Sequence, residues 1–298
     1  MIAISSLTKQ YGSRTAVDDL SFDVAPGRVT GFVGPNGAGK STTMRMMVGL
    51  TRPDYGDTTY RGVRYPDMRH PARVVGTVLD ARSMHPGRTA RNHLAAAAAL
   101  ASIPARRVNE VLNEVGLDSA ADQRTGGFSL GMRQRLALAG ALLGQPEVLL
   151  LDEPSNGLDP DGIRWLRNSL STFADNGGTV FVSSHLIAEL AMFADDLIVV
   201  GAGRLLAAEP VATTLARGEA TVIVRTPQTA ELGRLLVRHG IDADITDGQL
   251  SVRGTTTAAV SKIAFDNRIQ VIEITETRRS LEEILLDMTG ASAQFAAA

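Results

Sequence analysis

Eight residues, Gly34-Pro35-Asn36-Gly37-Ala38-Gly39-Lys40-Ser41, constrain this chain more than any other segment of it. They follow an apolar run at 29–33 (VTGFV), which reads as a buried strand. They precede a helical pattern that sets Met44, Met47, Val48 and Leu50 at helical spacings and stops before Pro53. A strand that turns through glycines straight into a helix presents backbone N–H groups as an anion nest, reinforced by the helix dipole. Gly34, Gly39, Lys40 and Ser41 also fit the spacing G-x-x-x-x-G-K-[ST]. In that pattern the lysine reaches the β- and γ-phosphates of a nucleoside triphosphate and the hydroxyl ligates Mg²⁺. Lysine occurs at only two other positions, Lys9 and Lys262, while arginine is abundant. Lys40 therefore stands where a compact, flexible ammonium is wanted and the planar fork of arginine would not serve.

A second segment at 148–154 (VLLLDEP) is an apolar strand that delivers two carboxylates, Asp152 and Glu153, at its end. Two adjacent anions at a buried strand terminus are costly unless a cation accompanies them. Mg²⁺ answers that need, with Asp152 holding the metal through water and Glu153 polarising an attacking water as general base.

The length of 298 residues suggests about two domains. Net charge is −2, without the basic excess that nucleic-acid binding usually requires, so no nucleic-acid partner is expected. The chain has no cysteine, which excludes disulfides, thiolate metal sites and cysteine nucleophiles. The N-terminus does not read as a signal peptide. The longest apolar stretch, 94–101, falls far short of the roughly 20 residues of a spanning helix. The expectation is a cytoplasmic protein that meets a membrane only through another chain.

Helices are expected at 89–103, 105–115 and 130–143, within a helical insert of about 86–146. Strand character returns at 148–151, 179–183 and 196–200. After a linker at 211–219, residues 220–290 read β-α-β-β-α-β, the last strand expected at 269–274, with a closing helix from 280, the pattern of a small ferredoxin-like α+β domain. Ser280 and Glu283 form a capping box for that helix. Residues 291–298 read as a disordered tail.

With residues 128–135 (FSLGMRQR), these segments resemble the nucleotide-binding subunits of ABC transporters over about residues 1–210. FSLGMRQR is similar to the signature LSGGQ-x-Q-R. Ser129 and Gly131 match, while Leu130 and Met132 replace a glycine and a glutamine. The resemblance implies an α/β P-loop NTPase core, RecA-like with an antiparallel β subdomain, plus a helical signature subdomain. It implies ATP hydrolysis by two such subunits stacked head to tail, most simply a homodimer, with Ser129 and Gly131 completing the partner's site. Tyr11 matches the aromatic that stacks on adenine, with a strand-end core tyrosine as the alternative. Thr42 extends the phosphate loop. His185 matches the histidine that bonds the γ-phosphate and the attacking water, with a satisfied core histidine as the alternative. Asp159 matches the reciprocal contact of the loop at 155–160. Asp80 stands where the family usually has a glutamine that touches Mg²⁺. It is expected to act as a metal-coupled sensor, against the alternative of an exposed turn. The single phosphate loop, the missing spans, the variant signature and the extra C-terminal domain resemble exporter-type subunits whose membrane permease is a separate chain, which would hold this one on the inner face of the cell membrane. A non-transport ATPase of the superfamily is the alternative. Two cassettes in one chain or a long coiled coil would mark it, and neither is present.

Overall fold

The computed structural model describes residues 1–81, 83–184, 187–218, 220–246 and 248–295. They divide into two compact units, 1–211 with 288–295, and 212–287. The first opens with β1 (Ile2–Tyr11) and β2 (Arg14–Val24), an antiparallel hairpin turned at Gly12, whose φ is 58°. Strand β3 (Val29–Val33) leads into helix α1 (Lys40–Met47). Strands β4 (Tyr55–Tyr60) and β5 (Val63–Arg64) then complete a four-stranded sheet of order β2-β1-β4-β5.

After β6 (Val75–Val78) come three helices, α2 (Ala90–Leu100), α3 (Arg106–Glu114) and α4 (Leu130–Leu142). The chain continues through β7 (Val148–Asp152), α5 (Pro160–Asp175), β8 (Thr179–Ser184), the short α6 (Ile187–Leu190), β9 (Asp196–Gly201), β10 (Arg204–Pro210) and α7 (Val211–Ala216). Strands β10-β9-β3-β8-β7-β6 make the central sheet, parallel except for β10 at its edge. Every residue of β3 and β8 is buried, as is all of β7 except its terminal Asp152. That explains their continuous apolar runs: a parallel sheet is covered on both faces.

The core of this unit joins both sheets through α1. Met44, Met46 and Met47 of α1 are buried in one cluster with Ile2, Leu20, Phe32, Leu150 and Phe181. Phe32 lies 5.0 Å from Phe181 and 5.8 Å from Phe22, centroid to centroid, packing β3 and β8 of the central sheet against β2 of the other. A second cluster, with Leu94, Val111, Leu112 and Leu136 at its centre, holds α2, α3 and α4 together. Thr89 and Ser129 cap α2 and α4, accepting from the Asn92 and Met132 amides. Helix α7 occupies residues expected to be a plain linker; its Ala, Thr and Leu residues suit one short helical turn.

The second unit contains β11 (Ala220–Arg225), α8 (Thr229–Arg238), β12 (Ala243–Thr246), β13 (Gln249–Arg253), α9 (Thr257–Asp266) and β14 (Glu273–Arg278), followed by α10 (Leu281–Phe295). The antiparallel sheet order β12-β13-β11-β14 is the ferredoxin-like arrangement of a β-α-β-β-α-β chain. Ser280 and Glu283 form the expected capping box, each side chain accepting from the other's amide. The last strand begins four residues later than the apolar residues at 269–274 suggested. Ile269 instead closes a Schellman turn: Arg268 is left-handed at φ 56° and the Ile269 amide donates to the Ala264 carbonyl at 2.9 Å. Its side chain is buried as the hydrophobic partner of that turn. Helix α10 continues through Phe295, past residue 291 where the tail was expected to begin.

Removing the Phe32 ring should test the packing of β3. Phe32→Ala is expected to destabilise the protein by about 3–5 kcal/mol in chemical denaturation. A shift far below that would mean the aromatic cluster does not hold the two sheets together.

Candidate active site

The loop between β3 and α1 is shaped by what its glycines must avoid. A Cβ on Gly34 would sit 2.2 Å from the Val200 carbonyl oxygen, and one on Gly39 would sit 2.4 Å from that of Ala16. Gly39 is the residue before α1 and has φ 98°, so a side chain there is excluded twice. No side chain caps α1, and its first amides are left for the loop and for a ligand.

Lys40 is buried, with 6% of its surface exposed, and its Nζ donates to the Gly34 carbonyl at 2.6 Å and to that of Pro35 at 3.3 Å. Burial lowers its pKa below the usual lysine range, while the Glu153 and Asp152 carboxylates draw it back up. Glu153 Oε1 lies 3.8 Å from Nζ. The two carboxylates arrive at the end of β7, beside the parallel β8. Ser183 of β8 lies opposite Asp152, donating from Oγ to Asp152 Oδ1 at 2.6 Å and accepting from the Glu153 amide at 2.9 Å. Glu153 itself is left-handed at φ 48°, an uncommon conformation for a non-glycine residue and one that clusters at functional sites.

A cavity of about 510 Å³ lies over the loop and brings together Tyr11, Asn36, Gly37, Gly39, Lys40, Ser41, Thr42 and Glu153. Its volume is that of a small-molecule site. Tyr11 is half exposed at the end of β1, with Lys9 Nζ 5.5 Å from its ring centroid, so it is not a core tyrosine. Pro35 and Ala38 shape the loop: the Pro35 carbonyl accepts from the Ala38 amide, and Ala38 is buried. A second cavity of about 290 Å³ is lined by Asp80, Asp152 and Glu153 together with Leu130 and Gln134. Asp80 therefore lies with the two β7 carboxylates, not on the phosphate loop.

Ser129, Gly131 and Asp159 line neither cavity. Ser129 caps α4, and Asp159 caps α5 by accepting from the Gly162 amide at 2.8 Å. Leu130 leans on the 155–160 loop: a Cβ on Gly157 would meet its Cδ2 at 2.4 Å. His185 lies outside the described residues. Four lining or supporting residues were not foreseen, namely Arg14, Asn156, Gln134 and Ser183. Arg14 faces Tyr11 across the hairpin, and its Nη2 comes within 3.2 Å of a Cβ built on Gly37. Among the described residues its side chain has no ion-pair or hydrogen-bond partner, and it lines the cavity as a cation beside the loop.

Asp152, Ser41 and Asp80 are hard oxygen donors, the type Mg²⁺ prefers. Among the described residues no group of three or more His, Cys, Asp and Glu is close enough to hold a metal by itself. Magnesium at phosphate sites ordinarily uses only one or two protein carboxylates and completes its shell with phosphate and water. Gly39→Ala should abolish nucleotide binding without unfolding the chain, because the added methyl must displace the loop from the Ala16 carbonyl. Retention of normal nucleotide affinity in equilibrium binding would refute this account of the loop.

The ABC transporter family profile matches residues 17–156, and that of a domain of unknown function, DUF8746, matches residues 220–282. A bacitracin transport ATP-binding protein, BcrA, of Bacillus licheniformis is 33% identical, over 97% of this chain and 97% of its own. An uncharacterized ABC transporter ATP-binding protein, YhcH, of Bacillus subtilis (strain 168) is 32% identical, over 97% of this chain and 96% of its own. Among solved structures, an ATP-binding subunit of an ABC transporter superposes with a TM-score of 0.66 at 26% identity, covering 73% of this chain and 92% of that one. A dimeric ATP-binding cassette in a post-hydrolysis state with ADP and Pi shares the fold at TM-score 0.64 and 23% identity, covering 71% of this chain and 99% of that one. No described helix is long and apolar enough to cross a membrane. The chain belongs to the ATP-binding proteins of ABC transporters, and it is an ATPase built on their P-loop fold.

Proposed function

We propose that this ATPase powers an exporter: two copies close on ATP, hydrolysis reopens them, and the movement drives a separate membrane-spanning permease. The export reading is supported by relatives named for bacitracin transport, lantibiotic transport and Nod factor export. The dimer reading rests on one observation. The phosphate loop, Tyr11 and Glu153 share a cavity, while Ser129, Gly131 and Asp159 lie outside it. If these three residues contact nucleotide, they do so in a second copy's site.

Within one copy, Tyr11 stacks on adenine and residues 34–42 enclose the phosphates. Lys40 exchanges its loop carbonyls for β- and γ-phosphate oxygens, gaining charge-assisted bonds. Ser41 and Asp152 would hold Mg²⁺, which would supply positive charge against the phosphate oxygens. Asp80, in the second cavity with Asp152, would respond to the presence of that metal. Glu153, held at the strand end by Ser183, orients a water and takes its proton as the water attacks the γ-phosphorus. His185 bonds the γ-phosphate on the strength of the resemblance alone. Arg14 adds a cation over Gly37 that stabilises bound triphosphate.

Three variants test this assignment. Glu153→Gln should bind ATP, lose turnover by about 10²–10⁴-fold, the size of a general-base contribution, and accumulate as a dimer on ATP. Normal turnover in that variant would remove Glu153 from the chemistry. Asp80→Ala should alter the Mg²⁺ dependence of the rate, and an unchanged dependence would return Asp80 to a turn residue. Arg14→Ala should raise KM for ATP about tenfold while leaving kcat largely intact, as expected for a lost charge-assisted contact to bound phosphate.

A further inference from the structure

The second unit carries a cavity of about 440 Å³ lined by Arg217, Thr221, Ser251, Arg253 and Arg279. Its lining is polar throughout, and no carboxylate is among the described lining residues. The placement follows from the sheet register. Val222, Val224, Leu250 and Val252 are buried in the core with α8 and α9, so the alternating residues Thr221, Ser251 and Arg253 project from the opposite face. Thr221 and Arg253 are direct cross-strand partners, and Ser251 stands two residues along. Arg217 precedes β11 and Arg279 follows β14, two strands that pair from Ala220 and Arg278 at that same end of the sheet. Three arginines from three separate segments thus converge on one opening.

The background charge does not explain them. Residues 212–287 hold nine Lys and Arg against eleven Asp and Glu, so this is a mildly acidic unit in which three of the nine cations line one cavity. Acidic side chains brace Arg253 and Arg279 from outside the cavity. Arg279 is held by Asp287 and donates to the Glu283 carbonyl, and Arg253 lies 3.4 Å from Asp244. Each guanidinium has five donors, so these braces orient the forks and leave N–H groups for a ligand. Guanidinium forks together with hydroxyls match the geometry of phosphate oxygens.

We infer that this cavity is a second anion site, distinct from the nucleotide site, which takes a small molecule through its phosphate or pyrophosphate group. The test is hydrogen–deuterium exchange on the full chain with inorganic phosphate and with inorganic pyrophosphate as probes. Protection is expected in segments 217–225, 249–253 and 276–281, apart from any at the phosphate loop. Arg253→Gln should weaken that protection at least about tenfold in probe concentration. Ser251→Asp keeps every arginine but adds a carboxylate at the opening, and should abolish it. Both variants should keep wild-type ATP turnover. Protection confined to the phosphate loop, or protection of the second unit that survives Ser251→Asp, would overturn the proposal.

Discussion

The site depends on a charge arrangement: one buried ammonium, Lys40, facing two carboxylates at the end of a parallel strand. Neither part tolerates burial alone. The fold brings them together because β3 and β7 both pair with β8, so the loop after one and the carboxylates after the other emerge along the same sheet edge. Parallel strands make this possible, since their carboxyl ends all open to one side, where α/β sheets bind ligands. Burial also sets what the lysine can do. With its water removed, its strongest remaining partners are oxygens, and phosphate offers more charge than the carbonyls of Gly34 and Pro35.

Ser183 shows how a second layer of bonding fixes the first. Its single hydroxyl donates to Asp152 and accepts from the Glu153 amide, so one side chain orients two consecutive acidic residues. The left-handed backbone at Glu153 is the cost of turning its carboxylate toward Lys40 directly after a strand. Such strain persists because the flanking hydrogen bonds and the strand pairing hold it.

Legibility from sequence followed the distance over which each feature is determined. The phosphate loop was legible because strand, turn and helix are contiguous and its spacing is specific. The helices of the 86–146 insert were legible from a stretch rich in Ala, Leu and Arg with few β-branched runs, and the β-α-β-β-α-β order was legible too. The supporting residues were not. Arg14 reaches the loop only because the β1–β2 hairpin folds over Gly37, and Ser183 meets Asp152 only through parallel pairing 31 residues away. Local apolar content misled at Ile269, where a helix-closing turn used the side chain that a strand was expected to use. Nothing in the sequence around Arg217, Arg253 and Arg279 announced a cluster, because the three meet only when four strands are ordered β12-β13-β11-β14.

The departures from the ABC signature acquire a physical sense from their surroundings. Leu130 replaces a glycine, and its methyl group fills the space that a side chain at Gly157 would claim. The start of α4 is thereby packed against the 155–160 loop, which runs from Glu153 to the cap of α5 at Asp159. Leu130 also lines the cavity that holds Asp80, Asp152 and Glu153. A side chain at position 130 touches both the carboxylate cavity and the loop leading to Asp159, which a glycine could not do. On the reading of this chain as half of a paired ATPase, the start of the signature helix then packs against its own subunit's site as well as facing the other copy.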